Sequence, residues 1–122
     1  MKIKFSKFKS NIHDAGNLSK SSKSFISQIN QKLNSNLIYV NDLSDYQCDL
    51  KLIYIESGGS EGLFLKNFKK LKPPYYLLTS GENNSLAASL EILHYLHLHH
   101  LKGEILHGDI GYIAKRIKEL CK

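Results

Sequence analysis

The sequence predicts a three-layer, doubly wound α/β domain built on a sheet of about five mostly parallel strands. Three observations carry this expectation. Strand-like and helix-like periodicities alternate along most of the chain. The middle strands are apolar on both faces, as in parallel sheets covered by helices on either side. The chain has 122 residues, the size of one domain with one modest core, so residues 1–122 read as a single α/β domain.

Ile3 and Phe5 alternate with lysines and open a short first strand. Asn11, Asp14, Gly16 and Asn17 are turn formers and make residues 9–19 a loop. Phe25, Ile26, Ile29 and Leu33 recur on one face of a helix. Leu37 to Val40 form a short apolar strand, and Leu50 to Ile55 a longer one rich in strand-favouring residues. Only Asn41 to Asp49 separate these two strands, whereas a parallel crossover takes a dozen or more residues. The favoured solution shrinks the connecting helix to a turn; the other makes the second strand an antiparallel edge.

A glycine cluster follows, then Phe64, Leu65, Phe68 and Leu71 mark a helix that Pro73-Pro74 stops. Tyr75 to Thr79 form the next strand. Asn83 or Asn84 is placed to cap a long helix whose stripe is Leu86, Leu90, Leu93, His97 and Leu101. Ile105-Leu106 is a short strand. Asp109 caps the last helix, with Ile110, Ile113, Ala114, Ile117 and Leu120 on its buried face. Right-handed crossovers between such strands give a flavodoxin-like or Rossmann-like winding.

Composition excludes several classes. With 42% hydrophobic and 23% charged residues the chain is not disordered at large. No apolar run approaches the roughly 18 residues of a membrane span, and residues 1–7 lack the apolar core of a signal peptide. Cys48 and Cys121 have no metal-like spacing and read as reduced thiols, so a cytoplasmic location is expected. The net charge of +6 favours encounters with anions. Nucleic acid is nevertheless not the expected partner: the lysines are scattered, and Arg116 is the sole arginine, where arginine is the side chain suited to bidentate contacts.

In open α/β sheets, ligands bind beyond the carboxyl ends of the strands. Three loops leave those ends: Glu56 to Gly62, Ser80 to Ser85, and His107 to Asp109. Each is small or polar and precedes a helix start, where free N–H groups favour hydroxylated or anionic ligands. Gly58, Gly59 and Gly62 read equally as a tight turn or as a ligand loop, and neither nucleotide-binding glycine fingerprint is present. Glu56, Glu61 and Glu82 are candidates for an acid–base pair converging on this rim. His94, His97 and His100 are spaced three apart, but H-E-x-x-H is absent, and no native metal site is predicted. The G-x-S-x-G nucleophile motif is missing too. Cys121 closes a helix, where the dipole raises a thiol pKa rather than activating it.

Two segments resemble a known family. Gly58-Gly59-Ser60-Glu61-Gly62 followed by Phe64-Leu65 is similar to the G-G-[ST]-E-G loop of proteins related to L-fucose and L-arabinose isomerases. Ser80-Gly81-Glu82-Asn83-Asn84-Ser85-Leu86-Ala87-Ala88-Ser89-Leu90-Glu91-Ile92-Leu93 resembles their E-N-N-S-L segment, the more specific of the two. Ile105-Leu106-His107-Gly108 is similar to an I-L-H-G one strand later. The resemblance runs over residues 1–122, carried by about a quarter of them.

It implies the first domain of an aldose–ketose isomerase. In that family, manganese, its carboxylate and histidine ligands and the catalytic acid–base pair lie in later domains. The chain is thus expected to hold no cofactor and to be catalytically incomplete alone. It would contribute to carbohydrate binding or dock onto a catalytic, metal-binding domain in cis or in trans, within a possible homo-oligomer. The residues the resemblance assigns to substrate are Gly58, Gly59, Ser60, Glu61, Ser80, Gly81, Glu82, Asn83, Asn84, Ser85 and His107. Two other classes stand beside it: a small flavodoxin-like module for phosphate or nucleotide, and a purely structural interaction domain.

Overall fold

The computed structural model describes residues 1–9, 16–45, 47–56, 61–68 and 70–121, with only the backbone at residues 45 and 61–63. The elements alternate as β1 (Ile3–Lys7), α1 (Lys20–Leu33), β2 (Leu37–Tyr39), β3 (Leu50–Ile55), α2 (Glu61–Phe68), β4 (Tyr75–Thr79), α3 (Asn83–Leu98), β5 (Gly103–Leu106) and α4 (Ile110–Leu120). All five strands pair in parallel, in the order β2-β1-β3-β4-β5. This is the flavodoxin-like winding, whose strand order reverses between β1 and β3.

Period-two alternation divides β3 and β4 between two cores. Ile3, Phe5, Leu52, Tyr54, Leu78 and Leu106 face α1 and α4, meeting Ile26, Ile29, Leu33, Ile113, Ala114 and Ile117. Ile53, Ile55, Tyr75 and Leu77 face α2 and α3, meeting Phe64, Phe68, Ile92 and Leu96. Burial on both faces explains why these strands read as continuous apolar runs.

The short β2–β3 link carries the 3-10 turn Leu43–Asp45, with the Leu43 side chain buried in the α2/α3 core. β2 is a parallel edge strand, as the favoured solution predicts. The helix after β3 ends at Phe68, earlier than the prolines. Leu71 packs from the turn beyond it, and its carbonyl accepts the Tyr75 hydroxyl at 2.8 Å. Asp109 caps α4 as expected, its Oδ1 accepting the Tyr112 N–H at 2.8 Å.

α3 departs from the sequence expectation in two ways. Its N-cap is Glu82, which makes no side-chain capping bond; Asn83 and Asn84 are the first two helical residues and are exposed. Its buried face is Ser85, Ala88, Ser89, Ile92 and Leu96, one residue and so about 100° away from the stripe read from the leucines. Leu90 is 53% exposed and His97 lies in solvent. The helix is apolar nearly all round, so leucine spacing did not define its inner face. Small residues did. Ser85, Ala88 and Ser89 let the helix settle close to the sheet, with the Ser89 hydroxyl donating to the Ser85 carbonyl at 2.8 Å. Farther along, the helix also lies close to Gly103 in β5, where an added Cβ would stand 2.9 Å from Leu96 Cδ1 and 3.1 Å from Leu93 Cδ1, so those side chains would have to shift.

Candidate functional site

At the switch point between β1 and β3 a cleft of about 210 Å³ opens at the carboxyl ends of the strands, lined by Ser19, Ser21, Ser22, Glu56, Ser80 and Glu82. Three separate connections supply it. Ser19, Ser21 and Ser22 begin α1, Glu56 follows β3, and Ser80 and Glu82 lie between β4 and α3.

Hydrogen bonds fix each wall. Ser19 caps α1, its Oγ accepting the Ser22 N–H at 3.1 Å and lying 3.1 Å from Ser21 Oγ. The Ser19 N–H donates to Glu56 Oε2 at 3.1 Å, joining α1 to the end of β3. The Ser80 hydroxyl donates to the Glu56 carbonyl at 3.2 Å. Below the cleft, the buried Tyr54 hydroxyl donates to Ser22 Oγ at 2.6 Å. Burial raises the Tyr54 pKa, so this hydroxyl stays protonated and serves as a donor. Two carboxylates and several hydroxyls thus converge on a small polar space.

The other predicted site residues separate into distinct groups. Ser85 is fully buried, and its hydroxyl accepts the Ser80 N–H at 2.9 Å and donates to the Ile55 carbonyl. It shapes the rim from beneath. Gly81 makes the turn with φ +87°, a conformation natural to glycine. Asn83 and Asn84 stand beside the cleft without lining it. Glu61 is the first residue of α2, and Gly58, Gly59 and Ser60 lie outside the described residues. His107 follows β5, half-buried, away from the cleft lining, with Nδ1 2.7 Å from Thr79 Oγ1.

The sequence reading missed the serines of α1. It followed the loops after β3, β4 and β5 and passed over the loop after β1, although the same carboxyl-end rule applies to it. The available signal was the run Ser19-Lys20-Ser21-Ser22 ahead of the Phe25 periodicity.

A larger groove, about 600 Å³, lies at the opposite end of the sheet among Pro74, Tyr76, His97, His100, Lys102 and Glu104. It borders the amino ends of β4 and β5, where this winding offers no helix N-terminus. Its carboxylate, Glu104, is held by both Arg116 Nε at 2.6 Å and Nη2 at 2.7 Å. The smaller cleft gathers polar groups from three connections and is the candidate site.

Among the described residues, no group of three or more His, Cys, Asp or Glu is placed to hold a metal ion. No described helix is long and apolar enough to cross a membrane. The Cys121 thiol pKa is raised, chiefly by burial. Comparison of the chain with protein-family models, curated proteins and solved structures finds no match.

Proposed function

We propose that this chain is the sugar-facing first domain of an isomerase-like system, contributing part of a carbohydrate site that a catalytic, manganese-binding domain completes in cis or in trans. The observation that carries this reading is the switch-point cleft, where Glu56, Glu82, Ser19, Ser21 and Ser80 bring acceptors and donors together. Carboxylate oxygens accept from sugar hydroxyls, and serine hydroxyls both donate and accept. The E-N-N-S segment resembling the isomerases starts at this cleft, with Glu82 in its wall. The metal chemistry of the reaction belongs to the partner domain; this chain binds and orients.

The test is a titration of the full chain with L-fucose, L-arabinose and their ketose isomers, followed by amide NMR shifts. Saturable shifts at Ser19, Glu56, Ser80 and Glu82 are expected. Combining Glu56→Gln with Glu82→Gln should weaken binding about tenfold, the loss of one to two charge-assisted hydrogen bonds. Absence of any sugar response, alone and with a manganese-loaded isomerase catalytic domain, would sink the reading. Aldose–ketose conversion by the isolated chain would refute its catalytic incompleteness.

A further inference from the structure

We infer that Cys48 and Cys121 form a reversible intramolecular disulfide, a redox-sensitive clasp that joins the start of β3 to the end of α4. They are the only cysteines of the chain and lie far apart in sequence. The winding brings them to one edge. Helices that cross between parallel strands run against those strands, so α4 starts beyond the carboxyl end of β5 and ends beside the amino ends of the sheet. Cys121 is the C-cap of α4 and packs against the α1/α4 core, to which Leu50 belongs. Cys48 stands two residues before Leu50, the first residue of β3, and its Sγ donates to the Leu50 carbonyl at 3.4 Å. At the same level β1 and β3 are knotted together. The Lys2 N–H donates to Asp49 Oδ2 at 2.7 Å, and the Asp49 N–H donates to the Lys2 carbonyl at 2.8 Å.

Electrostatics put Cys121 beside this knot. The charged groups its thiol feels are Asp49, the N-terminal ammonium and Cys48 itself. Both thiols are free and half-buried, open to a small reagent. A disulfide needs Cα atoms about 4.4–6.8 Å apart. Neither cysteine is inside a helix or strand, so the final approach bends no regular element. In a reducing compartment such a bond is a transient sensor rather than a permanent staple. The oxidant is a small-molecule disulfide. One cysteine thiolate attacks it, forming a mixed disulfide and releasing one small thiol. The second cysteine gives up its proton and attacks the protein sulfur of that mixed disulfide. The Cys48–Cys121 bond forms, the mixed bond breaks and the other small thiol leaves. The two electrons lost by the cysteines reduce the oxidant, and excess small thiol reverses both steps.

The test equilibrates the full chain with reduced and oxidised glutathione, quenches it in acid and reads it by mass spectrometry. Wild type should give a monomer lighter by two hydrogens, whose digest holds a linked Cys48–Cys121 peptide pair. At one glutathione ratio, the disulfide-to-dithiol ratio should be at least about tenfold higher in the native chain than in urea. The fold already holds the two ends together, whereas the unfolded chain must close a loop of more than half its length. Cys48→Ser and Cys121→Ser should each stop at the mixed disulfide. Wild type that also stops at mixed disulfides overturns the inference, as does a native ratio no higher than that in urea. The clasp lies at the edge of the sheet opposite the candidate site, so neither result touches the sugar-facing reading.

Discussion

Ser85→Ala separates a ligand contact from a structural hydroxyl. In the structure, Ser85 Oγ accepts the Ser80 N–H at 2.9 Å and donates to the Ile55 carbonyl, tying the end of β4 to the end of β3. The side chain is fully buried, so no water replaces it. Alanine keeps the Cβ and deletes both bonds. The cost is softened because the Ser80 N–H also reaches the Ile55 carbonyl at 3.3 Å, so neither backbone group is wholly stranded. A net loss of about 1–2 kcal/mol follows, from two bonds worth roughly 0.5–1.5 kcal/mol each. Urea unfolding followed by circular dichroism should show an unchanged m-value and a midpoint lowered by about 0.5–1 M, for an m near 2 kcal/mol/M. The melting temperature should fall by about 4–8 °C, at roughly 4 °C per kcal/mol for a chain of this size. Asn83→Ala and Asn84→Ala, exposed in the first turn of α3, should stay within about 0.5 kcal/mol of wild type. A Ser85→Ala protein as stable as wild type but impaired in sugar binding would refute the structural assignment.

Other perturbations probe the frame that carries the rim. Asp109→Ala removes the α4 cap and should cost about 1 kcal/mol in denaturant unfolding, with Asp109→Asn nearly neutral. Gly81→Ala meets no steric obstacle among the described residues, none of which has an atom within 4 Å of the added Cβ, yet φ of +87° should cost it about 1 kcal/mol. Glu104→Gln should destabilise the protein at neutral pH. The Arg116 hydrogen bonds hold the folded Glu104 pKa below its ordinary value, so the stabilisation is present above the unfolded carboxyl pKa and is lost as pH falls through the folded one. Wild type and variant stabilities, measured across that acid range, should therefore converge at the low end.

The legible parts of the fold were those where one physical cause dominated. β3 and β4 carry apolar residues on both faces, which only a covered parallel sheet explains. α4 announced itself through Asp109 and the Ile113, Ala114 and Ile117 face, and all three side chains are buried. α3 was misread in rotation because leucines surround it and its contact face is marked by small residues, which a hydrophobic stripe does not weigh. Helix α2 was extended too far because Leu71 has the right spacing, yet it is placed by the turn after Phe68. At the rim, Glu56, Ser80 and Glu82 were found from their place after strands. No motif marks the α1 serines, and Ser19 is the cap of the helix. Its hydroxyl serves the helix while the residue also walls the cleft, and a linear sequence shows only the first of these roles.

The cleft also bears on the choice between a sugar and a phosphate ligand. The whole chain carries +6, which draws anions toward it at long range. Locally the sign is reversed, because Glu56 and Glu82 line the cleft. The start of α1 is where a phosphate would be expected in this winding, but two of its N–H groups are already engaged. Glu56 Oε2 takes the Ser19 N–H and Ser19 Oγ takes the Ser22 N–H. A phosphate entering here would have to displace a carboxylate and then sit beside a second one. An uncharged polyol meets no such opposition and can bond to both carboxylates. Inorganic phosphate and adenine nucleotides should therefore leave the amides of Ser19, Ser21 and Ser22 unmoved at concentrations where sugars shift them. A saturable phosphate response at those amides, unaffected by competing sugar, would favour the nucleotide-module reading over the one proposed.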